Sequence, residues 1–185
     1  MAHLRSCMGA SQPSGTDYGW DNIETAVSEA RSYLDKIELP SRSDVEISSI
    51  KGMYHVLDHL DRLLYRCSQG DRISELPKDR RLNRLASVMI AATDGYLEID
   101  DPLKCEILLN RVRRFLRRQS KLRRDLLISD AATDSLPDDV VWARLDALRW
   151  LHRVSYHLWR IRWHLNALEG VPSGRKGGEV NDEVA

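Results

Sequence analysis

Apolar residues recur three and four apart through five long stretches of this chain, with polar residues between them. That spacing follows the α-helical period and leaves no run with the alternation of a strand. The first stripe is Ile23, Val27, Ala30, Leu34 and Ile37, opened by the capping-box pair Asp21 and Glu24 and stopped before Pro40. The second, Ile50, Met53, Leu57, Leu60, Leu64 and Cys67, follows a second capping box, Ser43 with Glu46, and ends at Gly70. Residues 68–77, SQGDRISELP, read as a polar loop. The third stripe is Leu82, Leu85, Met89, Ala92, Tyr96 and Ile99.

Asp101-Pro102 has the form of an N-cap with a first-turn proline, and the helix it predicts carries Cys105, Leu108, Val112, Phe115, Leu122 and Leu126 on one side. Ser135-Leu136-Pro137-Asp138 opens the fifth helix, which closes at Gly170-Val171-Pro172. This last helix holds four of the five tryptophans. One face carries Val140, Ala147, Leu151, Val154, Leu158, Ile161, Leu165 and Leu168, and a neighbouring face carries His152, Tyr156, Trp159 and Trp163. Two such faces predict a helix wrapped by others. The predicted fold is therefore all-α: five long antiparallel helices in an elongated bundle over residues 20–169. A flexible segment, 1–19, precedes it and a disordered tail, 170–185, follows.

The 28 basic and 28 acidic residues cancel, so only local charge can argue for an anionic partner. Cys7, Cys67 and Cys105 are far apart and form no CxxC pair, which fits a reducing, cytoplasmic setting with no disulfide framework or zinc site. No window reaches the roughly 20 apolar residues of a membrane span. The chain also has no Gly-rich phosphate loop, nucleophile elbow or HExxH, so neither enzymatic activity nor a cofactor is expected.

Three polar groupings remain. His55, Asp58, His59 and Asp61 lie within two helical turns and are weak metal candidates, although a solvated polar flank explains them as well. Arg153, His157, Arg160 and His164 share one face, which suits an anion or an exposed surface. The strongest local charge is residues 111–124, RVRRFLRRQSKLRR, with eight cations and no acid. Arg113, Arg114, Arg117, Arg118 and Lys121 there, with Arg153 and Arg160, are the candidates for binding a partner or anion. The run also suits nucleic acid, while pairing with Asp58, Asp61, Glu98 and Asp100 is its structural explanation.

Residues 57–65, LDHLDRLLY, align with 148–156, LRWLHRVSY, matching Leu57 with Leu148, Leu60 with Leu151, Arg62 with Arg153 and Tyr65 with Tyr156. In this pairing, and in Leu60-Asp61-Arg62 and Leu151-His152-Arg153 at the last helix of each half, the chain resembles PhoU, the regulator of bacterial phosphate uptake. LDHLDRL and YHLWRI are most similar to the PhoU-like region that follows the membrane part of bacterial sodium-dependent phosphate cotransporters. The resemblance implies two pseudo-repeats of three helices over residues 20–168, with the first helix missing. It further implies a regulatory or interaction module of phosphate transport at the inner face of the membrane, partnered by a transporter or another regulatory protein, with homodimerisation left open. The family's metal-binding acidic pairs are replaced here by Asp61 with Tyr65 and by His152 with Tyr156, so no metal is expected.

Overall fold

The computed structural model of the protein describes residues 19–37, 43–133 and 135–171. The segment 1–18, Pro40 and the tail from Pro172 onward, including most of the stretch expected to be disordered, lie outside them. Among the described residues all regular structure is helical: α1 (Trp20–Asp35), α2 (Asp44–Cys67), α3 (Gly70–Glu75), a 3₁₀ turn (Leu76–Lys78), α4 (Arg80–Glu98), α5 (Pro102–Ala132) and α6 (Asp138–Leu168). There are thus six α-helices where the periodicity predicts five. No helix among these residues is long and apolar enough to cross a membrane.

The helix ends show where local chemistry decides. Ser43 and Glu46 form the expected reciprocal capping box. Asp101 accepts from the Leu103 and Lys104 N–H groups, with Pro102 at the first helical position. Gly170 takes a left-handed φ of 70°, and the N–H groups of Gly170 and Val171 bond back to the Ala167 and Asn166 carbonyls, a Schellman closure of α6. Two expected caps are corrected. α1 starts from Gly19 with no side-chain cap, so Asp21 and Glu24 lie inside it. α6 is entered from Pro137, while Ser135 bonds Thr133 instead.

The stretch expected to be a polar loop is α3 and the 3₁₀ turn. Gly70 starts this helix and is not the end of α2. Ile73 and Leu76 are 1% and 0% exposed, pinning the segment into the main core. Each buried aliphatic side chain stabilises the fold by about 1.5–3 kcal/mol, enough to order a short helix that has little propensity to stand alone.

That core joins α3, α4, α5 and α6, with Leu82, Met89, Leu116, Leu127, Leu148, Trp150 and Leu151 at its centre. A smaller one, Val27, Leu34 and Leu57, holds α1 against α2. α6 runs through the middle: α5 packs along one side and α2 lies antiparallel on another, as the His59–His157 and His55–His164 contacts show. The expectation of a wrapped helix holds. Trp150 donates from Nε1 to the Arg66 carbonyl at 2.6 Å, a second bond to a last-turn carbonyl of α2 that also accepts from the Gln69 N–H.

α5 is turned relative to its predicted stripe. Cys105, Leu109, Arg113, Leu116 and Leu127 face inward, while Phe115, Leu122 and Leu126 are exposed. The buried column contains an arginine, which apolar periodicity cannot register. Arg113 lies 4.3 Å from the Trp159 ring and donates to Asn110. A polar clasp fixes the top of α4: Asp79 accepts from the Arg81 and Leu82 N–H groups and faces Arg123 at 3.5 Å and Arg144 at 3.3 Å. Burial alone would raise the Asp79 pKa, but those N–H groups and guanidiniums together hold it below the ordinary carboxylate value.

Candidate anion-binding cleft

The turn between α5 and α6 brings the two longest helices side by side in opposite directions. On α5, Arg117, Lys121 and Arg124 recur at four and three residues, so they form one strip. On α6, Arg149 and Arg153 are one turn apart. The end of α2 adds Arg66, and α3 adds Arg72. These seven cations line a cleft of about 780 Å³ that carries, among the described residues, the two carboxylates Asp125 and Asp146. Leu145, Leu148 and Trp150 give it an apolar floor.

Two acceptors at the cleft are each shared between arginines. Gln69 offers one carbonyl oxygen to both Arg72 Nη1 at 2.8 Å and Arg66 Nη1 at 3.4 Å. Asp146 is shared between Arg149 at 2.9 Å and Arg72 at 3.8 Å. Arg66 Nε and the Ser120 hydroxyl are buried without a hydrogen-bond partner among the described residues. Buried unpaired donors cost free energy that a ligand accepting from them returns. Burial, and then the Arg153 and Arg72 guanidiniums, push the Arg66 pKa down. Like charges crowded beside unused donors are stabilised by an incoming anion.

Of the residues singled out by charge in the sequence, Arg117, Lys121 and Arg153 meet in this cleft, and Arg114 and Arg118 are exposed outside its lining. Arg113 is buried against Trp159, while Arg160 lies 4.7 Å from the Trp163 ring and 5.7 Å from that of Trp159. Arg124, from the same basic run, lies in the cleft with Arg117 and Lys121, and the site is completed by Arg66, Arg72 and Arg149. They come from scattered segments, and no local spacing signals that they converge. The expected pairing of α5 with Asp58 and Asp61 is also corrected, since Asp58 pairs with Arg62 and Asp61 with Arg31. Nor does the expected exposed face of Arg153, His157, Arg160 and His164 exist as one surface, because both histidines are buried.

No protein-family model, curated protein or solved structure matches this chain.

The histidines form a separate cluster between α2 and α6. His59 Nδ1 and His157 Nδ1 are 3.1 Å apart, and Arg160 Nε, which can only donate, lies 3.4 Å from His59 Nε2. This order fixes the protons: His59 accepts at Nε2, carries hydrogen on Nδ1 and donates it to His157, whose own hydrogen is on Nε2. His164 stacks on His55 with centroids 4.9 Å apart, and Tyr156 meets His59 edge-on. Burial first, then Arg160, lowers the His59 pKa to about 4. Burial and His59 lower that of His157 to about 4, and burial with Arg160 lowers that of His164 to about 3. The weak metal set of His55, Asp58, His59 and Asp61 does not converge, and no group of three or more His, Cys, Asp or Glu side chains among the described residues could hold a metal ion.

Proposed function

We propose that this protein is a non-enzymatic regulatory module resembling PhoU, which acts in phosphate transport or its control by docking an anionic ligand or partner segment. The observation that carries the reading is the cleft, where seven cations surround two carboxylates and two buried donors are unused. The antiparallel packing of α2 and α6, the two helices bearing the related segments 57–65 and 148–156, supports a paired architecture. In this setting the transporter, or another regulatory protein beside it, supplies the acidic or phosphate-bearing surface.

Nucleic-acid binding through residues 111–124 is the rival reading. Against it, the cations of that run are divided: Arg113 lies against Trp159, Arg123 against Asp79, Arg117, Lys121 and Arg124 in the cleft, and Arg111, Arg114 and Arg118 are exposed outside it. Arg113 and Arg123 are thus turned into the fold and away from an outer partner. Calorimetry with tripolyphosphate at low salt tests the anion site, and Arg117→Glu/Arg153→Glu is expected to weaken binding at least tenfold. Uptake of labelled phosphate by cells carrying this double variant tests the role in transport. Uptake identical to wild type would sink that role, and tight RNA binding with a steep salt dependence would favour the rival.

A further inference from the structure

α6 continues beyond the cleft toward its own N-terminus, and the strip that lines the cleft continues with it. Trp142, Asp146, Arg149 and Arg153 follow at four, three and four residues, so they share one face over roughly 16 Å of helix. Trp142 is 62% exposed, whereas Trp150 and Trp159 are buried in packing contacts. Across the hairpin turn, Ile128 lies equally far from the turn on α5 and is 49% exposed. An aromatic and an aliphatic side chain are therefore exposed one helical turn beyond the lining residues Asp146 and Arg124, outside the lining itself. The order along the strip is aromatic, carboxylate, cation, cation.

From this order we infer that the cleft takes a nucleoside polyphosphate. The inference rests on the anion-binding reading given above and adds the nature of the ligand. Arg149 and Arg153 of α6, facing Arg117 and Lys121 of α5, hold the phosphate chain, with Arg66 and Ser120 supplying unused donors. Asp146 stands one turn nearer Trp142, where it can accept from a sugar hydroxyl. Trp142 offers its face to the base, against which Ile128 closes. Stacking of this kind tolerates any base, because every base has a π-face. A volume of about 780 Å³ far exceeds one phosphate and falls in the range of ligand pockets, roughly 300–1,000 Å³.

Calorimetry on the full chain decides it, with adenosine triphosphate, tripolyphosphate and a single-stranded oligonucleotide as probes at one low salt concentration. Adenosine triphosphate is expected to bind about tenfold more tightly than tripolyphosphate, and Trp142→Ala to bring that ratio to about one. Quenching of Trp142 fluorescence by the nucleotide, absent in Trp142→Phe, is the second readout. Equal affinities for nucleotide and tripolyphosphate in wild type would overturn the nucleotide and leave the anion cleft standing. Binding of neither would overturn both. An oligonucleotide bound far more tightly than the nucleotide would also overturn the inference, in favour of nucleic acid. Because Trp142 is exposed, its substitutions are expected to keep the far-UV circular dichroism of wild type.

Discussion

Mild acid strikes this fold at the seam between α2 and α6. His59, His157 and His164 are buried and neutral, with pKa values near 4, 4 and 3, whereas an unfolded histidine titrates near 6.5. Below that value the unfolded chain binds protons that the native chain refuses, so stability rises with pH across the window from about 4 to 6.5 and is lost on acidification. Between pH 7 and pH 5 each imidazole accounts for about 2 kcal/mol by linkage, and three together for about 4–6 kcal/mol once coupling between His59 and His157 is allowed for. That is comparable to the whole stability of a typical domain. Protonation also breaks the local bonds: a hydrogen on His59 Nε2 would face Arg160, and one on His157 Nδ1 would face that of His59. Guanidinium denaturation at pH 7, 6 and 5 measures the loss, with a constant m-value as the check on two-state behaviour. His59→Leu/His157→Leu removes two of the three groups and is expected to flatten the slope by about two thirds. A wild-type stability constant to within about 1 kcal/mol from pH 7 to pH 5 would refute the linkage, as would a double variant with the wild-type slope.

Three further outcomes are expected. Asp79→Ala removes the cap of α4 and leaves Arg123 and Arg144 facing each other, so it should lower stability by about 2–4 kcal/mol in urea titrations. Asp79→Asn, which keeps a capping oxygen, should cost less. Leu76→Ala empties a fully buried position in the 3₁₀ turn and should cost about 2–5 kcal/mol, whereas a surface loop there would give nearly nothing. Gly52→Leu should destabilise by about 1–3 kcal/mol, because even a Cβ at position 52 would stand 3.0 Å from a Leu168 methyl; a neutral result would place α2 farther from the end of α6.

Much of the fold is legible along the chain because caps and stripes are local. The Ser43–Glu46 box, the Asp101-Pro102 start, the Gly170 closure and the inward stripe of Leu82, Leu85 and Met89 all need only neighbours within two turns. Two expected caps, at Asp21 and Ser135, failed locally, and the larger misses had a non-local cause. Residues 70–78 carry two apolar anchors, Ile73 and Leu76, too few to announce a helix, and it is the shared core that orders them. The face of α5 that turns inward depends on Trp159 of α6, which receives a buried arginine that no hydrophobic pattern would select.

The same division runs through the candidate site. Composition and spacing along the chain were sufficient for the all-helical class, most of the element ends and the presence of local positive charge on α5. They could not tell which cations meet. Arg66, Arg72 and Arg149 join Arg117, Lys121, Arg124 and Arg153 because the end of α2 and the start of α3 lie beside the α5–α6 hairpin. Charge along a helix is a property of one segment, read at a period of 3.6 residues. Convergence is a property of how segments cross, and only side-chain packing in the shared core sets that crossing.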